Sequence, residues 1–322
     1  MSILKKIDLF ITGIIAMIFL AYIFPFKINE NEFQVLPKII YWGIIGIFFL
    51  YGAKLNLKQI FSDLKNWKLH LLIQSTTFLI FPAIILVFYP LFRDGQYHQL
   101  WLATFFLAAL PSTVSSSVVM VSIGKGNIGS AIFNASISGI IGLFMTPIWM
   151  GIFLKSSQAL EISPLVTQLF YQILLPVILG LLFNKHLKQF LTKQKSSIAW
   201  FDKIIIFLIV YKSFSAAFLD NVFGQVPLWT MALLAILILA LFFFIYYLIA
   251  WVAKKLALNR ADQITAIYCA SKKSLVHGSV FVTLLIQDLG TQSLFLLPIM
   301  IYHSAQLFYT SFTSRQYALE ER

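Results

Sequence analysis

Two long apolar stretches of this chain carry polar clusters at their centres. One runs Leu102–Leu110, continues as Pro111-Ser112-Thr113-Val114-Ser115-Ser116-Ser117, and turns apolar again at Val118–Ile123. The other runs Ile264–Ala270, then Ser271-Lys272-Lys273-Ser274, then Leu275 onward. Each stretch is long enough to cross a bilayer, and hydrocarbon cannot solvate a free backbone amide or an ammonium. A segment that breaks at that depth must pack inside protein or line a cavity. Paired interruptions at matching places in two halves of a chain mark solute sites in membrane carriers.

Composition supports the membrane setting. The 322 residues are 60% hydrophobic and only 11% charged, with mean hydropathy +0.87. Soluble domains carry roughly 25% charged residues. Aromatic residues make up 16% of the chain, which suits lipid-facing helices with interfacial Trp and Tyr. Cys269 is the single cysteine, so no intrachain disulfide forms. The net charge of +12 reads as topogenic rather than as a nucleic-acid footprint, so no nucleic-acid partner is expected. Lys5 and Lys6 precede an apolar run as in a signal peptide. That run continues to Pro25 without a small-residue cleavage site, so it reads as a retained span.

Taking about 20 mostly apolar residues per span, the sequence predicts ten: Ile7–Phe24, Pro37–Ala53, Trp67–Tyr89, Leu100–Ile123, Ile128–Leu154, Pro164–Phe183, Ile204–Leu219, Leu228–Val252, Ala261–Ile286 and Gln292–Phe312. Loop charges test the count. With the N-terminus inside, the inner segments hold Lys5, Lys6, Lys54, Lys58, Lys65, Lys68, Lys125, Lys185, Lys188, Lys193, Lys195, Lys203, Lys254, Lys255, Arg260, Arg315 and Arg322. The outer segments hold only Lys27, Lys38, Arg93 and Lys155. The bias predicts an integral membrane protein with both termini inside, which in a bacterial cell would mean the inner (plasma) membrane. The segment Asn184–Lys203 reads as a solvated basic connector near anionic headgroups.

The expected fold class is all-α: ten transmembrane helices in two inverted five-helix repeats, residues 1–155 and 156–322, forming a single transporter unit over 1–322. The fourth span of each half is the interrupted one. A tight turn follows each, Gly124-Lys125-Gly126-Asn127 and Asp288-Leu289-Gly290-Thr291.

The interruptions hold the candidate site. Pro111 lacks an amide hydrogen and clashes with the preceding turn, so the helix should break near it. Ser112, Thr113, Ser115, Ser116 and Ser117 can satisfy freed backbone groups and still present oxygens to a solute or ion. The plainer alternative is a proline kink with hydroxyl back-bonding and small-residue helix packing. Lys272 and Lys273 sit about ten residues from either end of their stretch, beyond easy snorkelling reach across a ~15 Å half-thickness. A lysine at that depth costs at least ~2.5 kcal/mol. Asp8, Asp220, Asp262 and Asp288 all fall near span ends, leaving no buried carboxylate as partner. Hydroxyls, carbonyls, Gln74 or an anionic ligand must serve instead. The alternative is that this segment is a loop, which the charge bias argues against. Gln74, Ser75, Thr76 and Thr77, then Asn134, Ser136 and Ser138, then Lys212, Ser213 and Ser215, and His277 with Ser271 and Ser274, are further intramembrane polar residues. Asn134 and Ser138 share a helix face. Singly, each equally suits a helix–helix hydrogen bond, and His277 could titrate near neutral pH. Metal-ligand spacing, a nucleotide loop and a G-x-S-x-G elbow are missing from the sequence. A Ser–Lys intramembrane hydrolase is an alternative that would need one positioned serine and an oxyanion hole.

The run Leu110-Pro111-Ser112-Thr113-Val114-Ser115-Ser116-Ser117-Val118-Val119, with Gly126-Asn127 and Ala131-Ile132-Phe133-Asn134-Ala135-Ser136, resembles the bile acid:sodium symporter superfamily. Ser271-Lys272-Lys273-Ser274-Leu275 resembles its branch of solute carrier family 10 member 7 and bacterial homologues. The resemblance covers essentially the whole chain. It implies a panel of spans one, two, six and seven, and a core of the others in which broken spans four and nine cross. It also implies alternating-access transport of a small organic anion, with sodium or protons as coupling ion, no other cofactor, and no obligate protein partner beside the lipid bilayer. Sodium-coupled members place a glutamate and a glutamine in the ninth-span break, where this chain reads Tyr268-Cys269-Ala270-Ser271-Lys272-Lys273. Their fourth-span Ser-Asn pair is replaced by serines, with Ser116 or Ser117 as counterpart. Gln74 resembles the third-span glutamine of their second sodium site. The residues expected to bind substrate or ion are therefore Gln74, Thr113, Ser115, Ser116, Ser117, Asn134, Ser138, Ser271, Lys272, Lys273, Ser274 and His277, with Pro111 as the break. Lys272 or Lys273 would replace at least one sodium as a tethered cation, and a buried lysine that exchanges its proton could couple transport to protons. Replacing either lysine should abolish flux and spare the fold. A non-transporting regulator of the same fold, affecting calcium handling, is the alternative of another class.

Overall fold

The structure is a computed structural model that describes residues 9–26, 35–55, 65–154, 167 and 170–319. The start of the first and sixth expected spans, Asp8, and Lys5, Lys6, Lys27, Lys58, Lys155 and Arg322 lie outside these residues. No strand occurs among the described residues.

The helices are α1 Leu9–Ile23, α2 Val35–Lys54, α3 Trp67–Leu86, α4 His98–Ala109, α5 Ser115–Ile123, α6 Ile128–Leu154, α7 Leu175–Lys193, α8 Lys195–Leu219, α9 Leu228–Lys255, α10 Arg260–Ala270, α11 Leu275–Leu285 and α12 Leu289–Leu319. A wider π turn, Thr76–Ile80, lies inside α3, and another, Phe170–Leu174, leads into α7. Among the described residues five helical segments are long and apolar enough to cross a membrane: Val35–Lys54, Trp67–Leu86, Ile128–Leu154, Phe170–Leu187 and Leu228–Lys255. Their apolar residues run all round the helix, as lipid or a buried interior requires. By contrast α4, α5, α10 and α11 have 12, 9, 11 and 11 residues. At ~1.5 Å per residue none reaches across a ~30 Å hydrocarbon layer alone.

The segment Asn184–Lys203, expected to be a connector, is helical almost throughout. The helix α7 runs to Lys193, and α8 restarts at Lys195 after a single non-helical residue, Gln194. The reason is local: Lys, Gln, Leu and Phe favour helix, and the segment contains no glycine or proline.

The chain divides into two compact units. The first comprises Met1–Leu55, Leu160–Pro227 and Ser279–Leu296. Here α2 and α7 pack backbone against backbone. A methyl at Gly52 would run into the carbonyl of Val177, and one at Gly180 into the carbonyl of Phe49. Asn184 then donates to the carbonyls of Ala53 (2.5 Å) and Leu55 (2.8 Å), closing the end of α2. Phe207 of α8 stacks on Phe10 of α1 at 5.6 Å, in the space left by Gly13. Lys54 meets Asp202 at 3.5 Å, and Ser213 donates to Gln292 at 3.0 Å.

The second unit comprises Asn56–Ala159, Leu228–Gly278 and Leu297–Arg322. Trp101, Phe105 and Phe153 form an aromatic core, Phe105 meeting Phe153 edge-on at 4.8 Å. The Asn259 side chain caps α10 by accepting from the Asp262 amide at 2.9 Å. Asp262, 5% exposed, also accepts from Asn127 at 2.9 Å. That bond and Asn127 N–H to Thr265 Oγ1 (2.9 Å) clasp α10 to the turn after α5.

Candidate functional site

The site lies wholly in the second unit, and backbone carbonyls that prolines leave without partners build it. Pro82 in α3 has no N–H to offer the carbonyls of Thr77 and Phe78. The chain widens there into the π turn, in which Phe81 N–H bonds the Thr76 carbonyl. Trp149 Nε1 takes the Phe78 carbonyl at 2.9 Å. Lys273 Nζ takes the Thr77 carbonyl at 2.8 Å.

Pro111 does the same to α4. Helical bonding stops at Ala109, and Leu110 is extended at φ −72°, ψ 151°, the conformation that a following proline favours. Thr146 Oγ1 donates to the Ala109 carbonyl at 2.8 Å. Lys273 Nζ donates to the carbonyls of Ala108 (2.6 Å) and Leu110 (2.8 Å). The Ser274 amide donates to the Pro111 carbonyl at 2.9 Å, which joins the two interruptions directly.

An ammonium has three donors, and Lys273 places all of its own on carbonyls. Two belong to the C-terminal end of α4, where the helix dipole favours a cation. The Phe81 ring, its centroid 4.1 Å from Nζ, closes another side. Lys273 is 0% exposed. Its backbone is held by Gln306, which accepts from the Lys273 amide at 2.8 Å and donates to the Lys273 carbonyl at 2.9 Å. Lys272, also fully buried, donates to the Ser116 carbonyl at 3.0 Å, with the Tyr268 ring centroid 5.9 Å away.

The hydroxyls around the breaks act mainly on backbone and on each other. The Ser112 amide donates to Ser138 Oγ at 2.9 Å, and Ser112 Oγ donates to the Cys269 carbonyl at 2.5 Å. Thr113 Oγ1 lies 2.8 Å from both Ser116 Oγ and Ser117 Oγ. Ser115 opens α5, and its side chain lies outside the described set. Ser271 Oγ bonds back to the Ile267 carbonyl at 2.6 Å, and its own carbonyl accepts from Tyr302 OH at 2.7 Å. Ser274 Oγ pairs with His277 Nδ1 at 2.9 Å.

The expected residues thus fall into two groups. Pro111, Thr113, Ser116, Ser117, Ser138, Ser271, Lys272, Lys273, Ser274 and His277 form one connected set. Gln74 and Asn134 form another and do not reach the lysines. Gln74 Nε2 donates to the carbonyl and Oδ1 of Asn134 at 3.1 and 3.2 Å, and Asn134 Nδ2 lies 2.8 Å from His70 Nδ1. Gln74 is not the lysines' partner because Asn134, across the α3–α6 contact, uses its amide. Gln74 Oε1 is buried without a partner among the described residues. The lysines meet carbonyls rather than serine hydroxyls, so no Ser–Lys dyad exists among the described residues. Sequence reading missed Gln306, Tyr302 and His70. The available signal was a polar side chain within an apolar stretch, the same signal that identified Gln74.

The SBF-like CPA transporter family matches residues 8–318. An uncharacterised protein of Pseudomonas aeruginosa is 32% identical, the match covering 97% of this chain and 93% of that protein. YfeH of Escherichia coli K12, whose name proposes a symporter, is 29% identical over 98% of this chain and 95% of its own. Sodium/bile acid cotransporter 7 of Rattus norvegicus is 27% identical over 95% and 92%. The family and its named members are transporters and not enzymes, which sets aside the hydrolase alternative. The match and the apolar helices make this an integral membrane protein, and the chain belongs to the SBF-like CPA transporter family.

Proposed function

We propose that the protein is a secondary transporter of a small organic anion, working by alternating access where the two interruptions meet, with Lys273 standing permanently in place of a bound sodium ion. The observation that carries this reading is the Lys273 ammonium on three backbone carbonyls at 2.6–2.8 Å. A ring of oriented carbonyls is what a small dehydrated cation requires. A sodium ion a few Å from that ammonium would meet a repulsion of several kcal/mol in a partly dry site. Relatives bear the name sodium/bile acid cotransporter, which suggests an amphipathic organic anion as cargo. In this reading α4 with α5, and α10 with α11, each make one span of a ten-span chain with inverted five-span repeats and both termini inside. The division into two units fits the panel-and-core arrangement for most helices, since one unit holds α1, α2, α7 and α8 and the other holds α3 to α6 with α9 and α10; it departs from it at Ser279–Leu296, most of α11 and the start of α12, which group with the first unit. The coupling ion is then a proton or none.

The test is uptake of organic anions into proteoliposomes holding the purified protein. Uptake should proceed with or without a sodium gradient. A steep dependence on sodium would reject the tethered-cation reading, and no uptake under any gradient would reject transport.

A further inference from the structure

We propose that the two adjacent lysines have opposite roles, Lys273 being fixed structure and Lys272 the specificity-determining residue that takes the charged oxyanion end of the cargo against the first turn of α5. This rests on the anion-transport reading above and adds which charge meets the anion.

The argument starts from donors. Lys273 spends its three N–H groups on Thr77, Ala108 and Leu110 and has none to offer. Lys272 spends one, on the Ser116 carbonyl at 3.0 Å, and two N–H groups have no acceptor among the described residues. Lys272 is 0% exposed, so bulk solvent does not reach it. A buried ammonium with two open donors is an incomplete site, and an oxyanion completes it by supplying both charge and acceptors.

The surroundings of that ammonium suit an oxyanion. Ser116 belongs to the first turn of α5, a nine-residue helix whose leading amides have no intrahelical acceptor. The first helical bond in this stretch is Val118 N–H to the Val114 carbonyl, at 3.3 Å. Thr113, Ser116 and Ser117 carry three hydroxyl protons but make only two mutual contacts, both at 2.8 Å, so one O–H has no acceptor among the described residues. Thr113 and Ser117 are buried and Ser116 is half-buried, which makes Ser116 the accessible member of the trio. Two N–H groups, one O–H and the first turn of α5 are thus neighbours, joined through Ser116, with no acidic side chain bonded to any of them among the described residues.

The experiment compares wild type, Lys272→Gln, Lys272→Arg, Ser116→Ala and Lys273→Gln in thermal-shift titrations with four oxyanions: cholate below its micellar concentration, taurocholate, benzoate and phosphate. Methyl cholate is the uncharged control. Wild type should be stabilised by at least one oxyanion and not by the ester. Lys272→Gln should keep its unliganded melting temperature within a few degrees and lose apparent affinity at least tenfold. Lys272→Arg should retain binding, and Ser116→Ala should weaken it a few-fold. Lys273→Gln should lose the folded protein, which revises the expectation from the sequence that either lysine can be replaced with the fold spared, because three buried carbonyls depend on this ammonium. Oxyanion binding that persists in Lys272→Gln overturns the division while leaving anion transport standing. So does collapse of Lys272→Gln comparable to that of Lys273→Gln. Failure of all four anions to stabilise wild type overturns the anion reading itself, and this inference with it.

Discussion

The α2–α7 pair of the first unit and the joined interruptions of the second solve the same problem by opposite means. Between α2 and α7 the contact is shape: Gly52 and Gly180 remove side chains so that each backbone rests on the other's carbonyls, and Asn184 bonds across at the end. At the interruptions the contact is polarity: Thr77, Ala108 and Leu110 offer carbonyls, and one ammonium from Ser271-Lys272-Lys273-Ser274 gathers them. Where helices stay whole, their amides satisfy one another and close packing suffices. Where prolines open the helix, each freed group needs a donor, and a charged one can serve three at once. The polar solution costs more if disturbed, and it is the region proposed above to take a solute.

The largest test of this contrast is Lys273→Met, which keeps the length and removes the donors. Three buried carbonyls would be stranded at about 1–3 kcal/mol each. Most of a typical folding free energy disappears, and size-exclusion chromatography should show no monodisperse protein. The corresponding break in the other region is Gly180→Ala, which drives a methyl into the Phe49 carbonyl and should cost about 3 kcal/mol, read as a lowered melting temperature. A greater loss from Gly180→Ala than from Lys273→Met would reverse the comparison. Gln306→Ala probes the polar region more gently. It strands the Lys273 amide and carbonyl at about 2 kcal/mol while leaving the ammonium in place, and its melt should fall between wild type and Gly180→Ala.

The smallest effect is at the Lys54–Asp202 pair, where Asp202 lies just before the apolar stretch Ile204–Leu219. Burial lifts the Asp202 carboxyl above its ordinary value of 3.8, against the pull of Lys54 at 3.5 Å. A raised carboxyl holds its proton more tightly folded than unfolded. Its contribution to stability is therefore fully present below 3.8 and lost as pH rises through the lifted folded value. Asp202→Asn should remove that slope from melting curves taken across the acid range, by less than about 1 kcal/mol in total.

Pro111 and Ser271-Lys272-Lys273-Ser274 mark in the sequence where helical bonding stops, because a missing N–H and a double charge act locally. The start of the helix at Ile128 was legible for a related reason: turn residues end the stretch before it. The helix through Asn184–Lys203 was read as a connector because polarity was taken for irregularity, although those residues favour helix. Gln306 went unnoticed because a lone glutamine in an apolar helix carries no pattern until its partner is known.

By itself the sequence determined a membrane-embedded, all-helical chain with two polar breaks, a proline at one and two lysines at the other. Hydrophobic run length and backbone chemistry depend only on near neighbours. Only the tertiary structure decided which lysine is which. The carbonyls that hold Lys273 lie 163 to 196 residues away along the chain, and the one that holds Lys272 lies 156 away. Adjacent identical side chains differ only in what the fold brings to them: one ammonium has its three acceptors, and its neighbour has one.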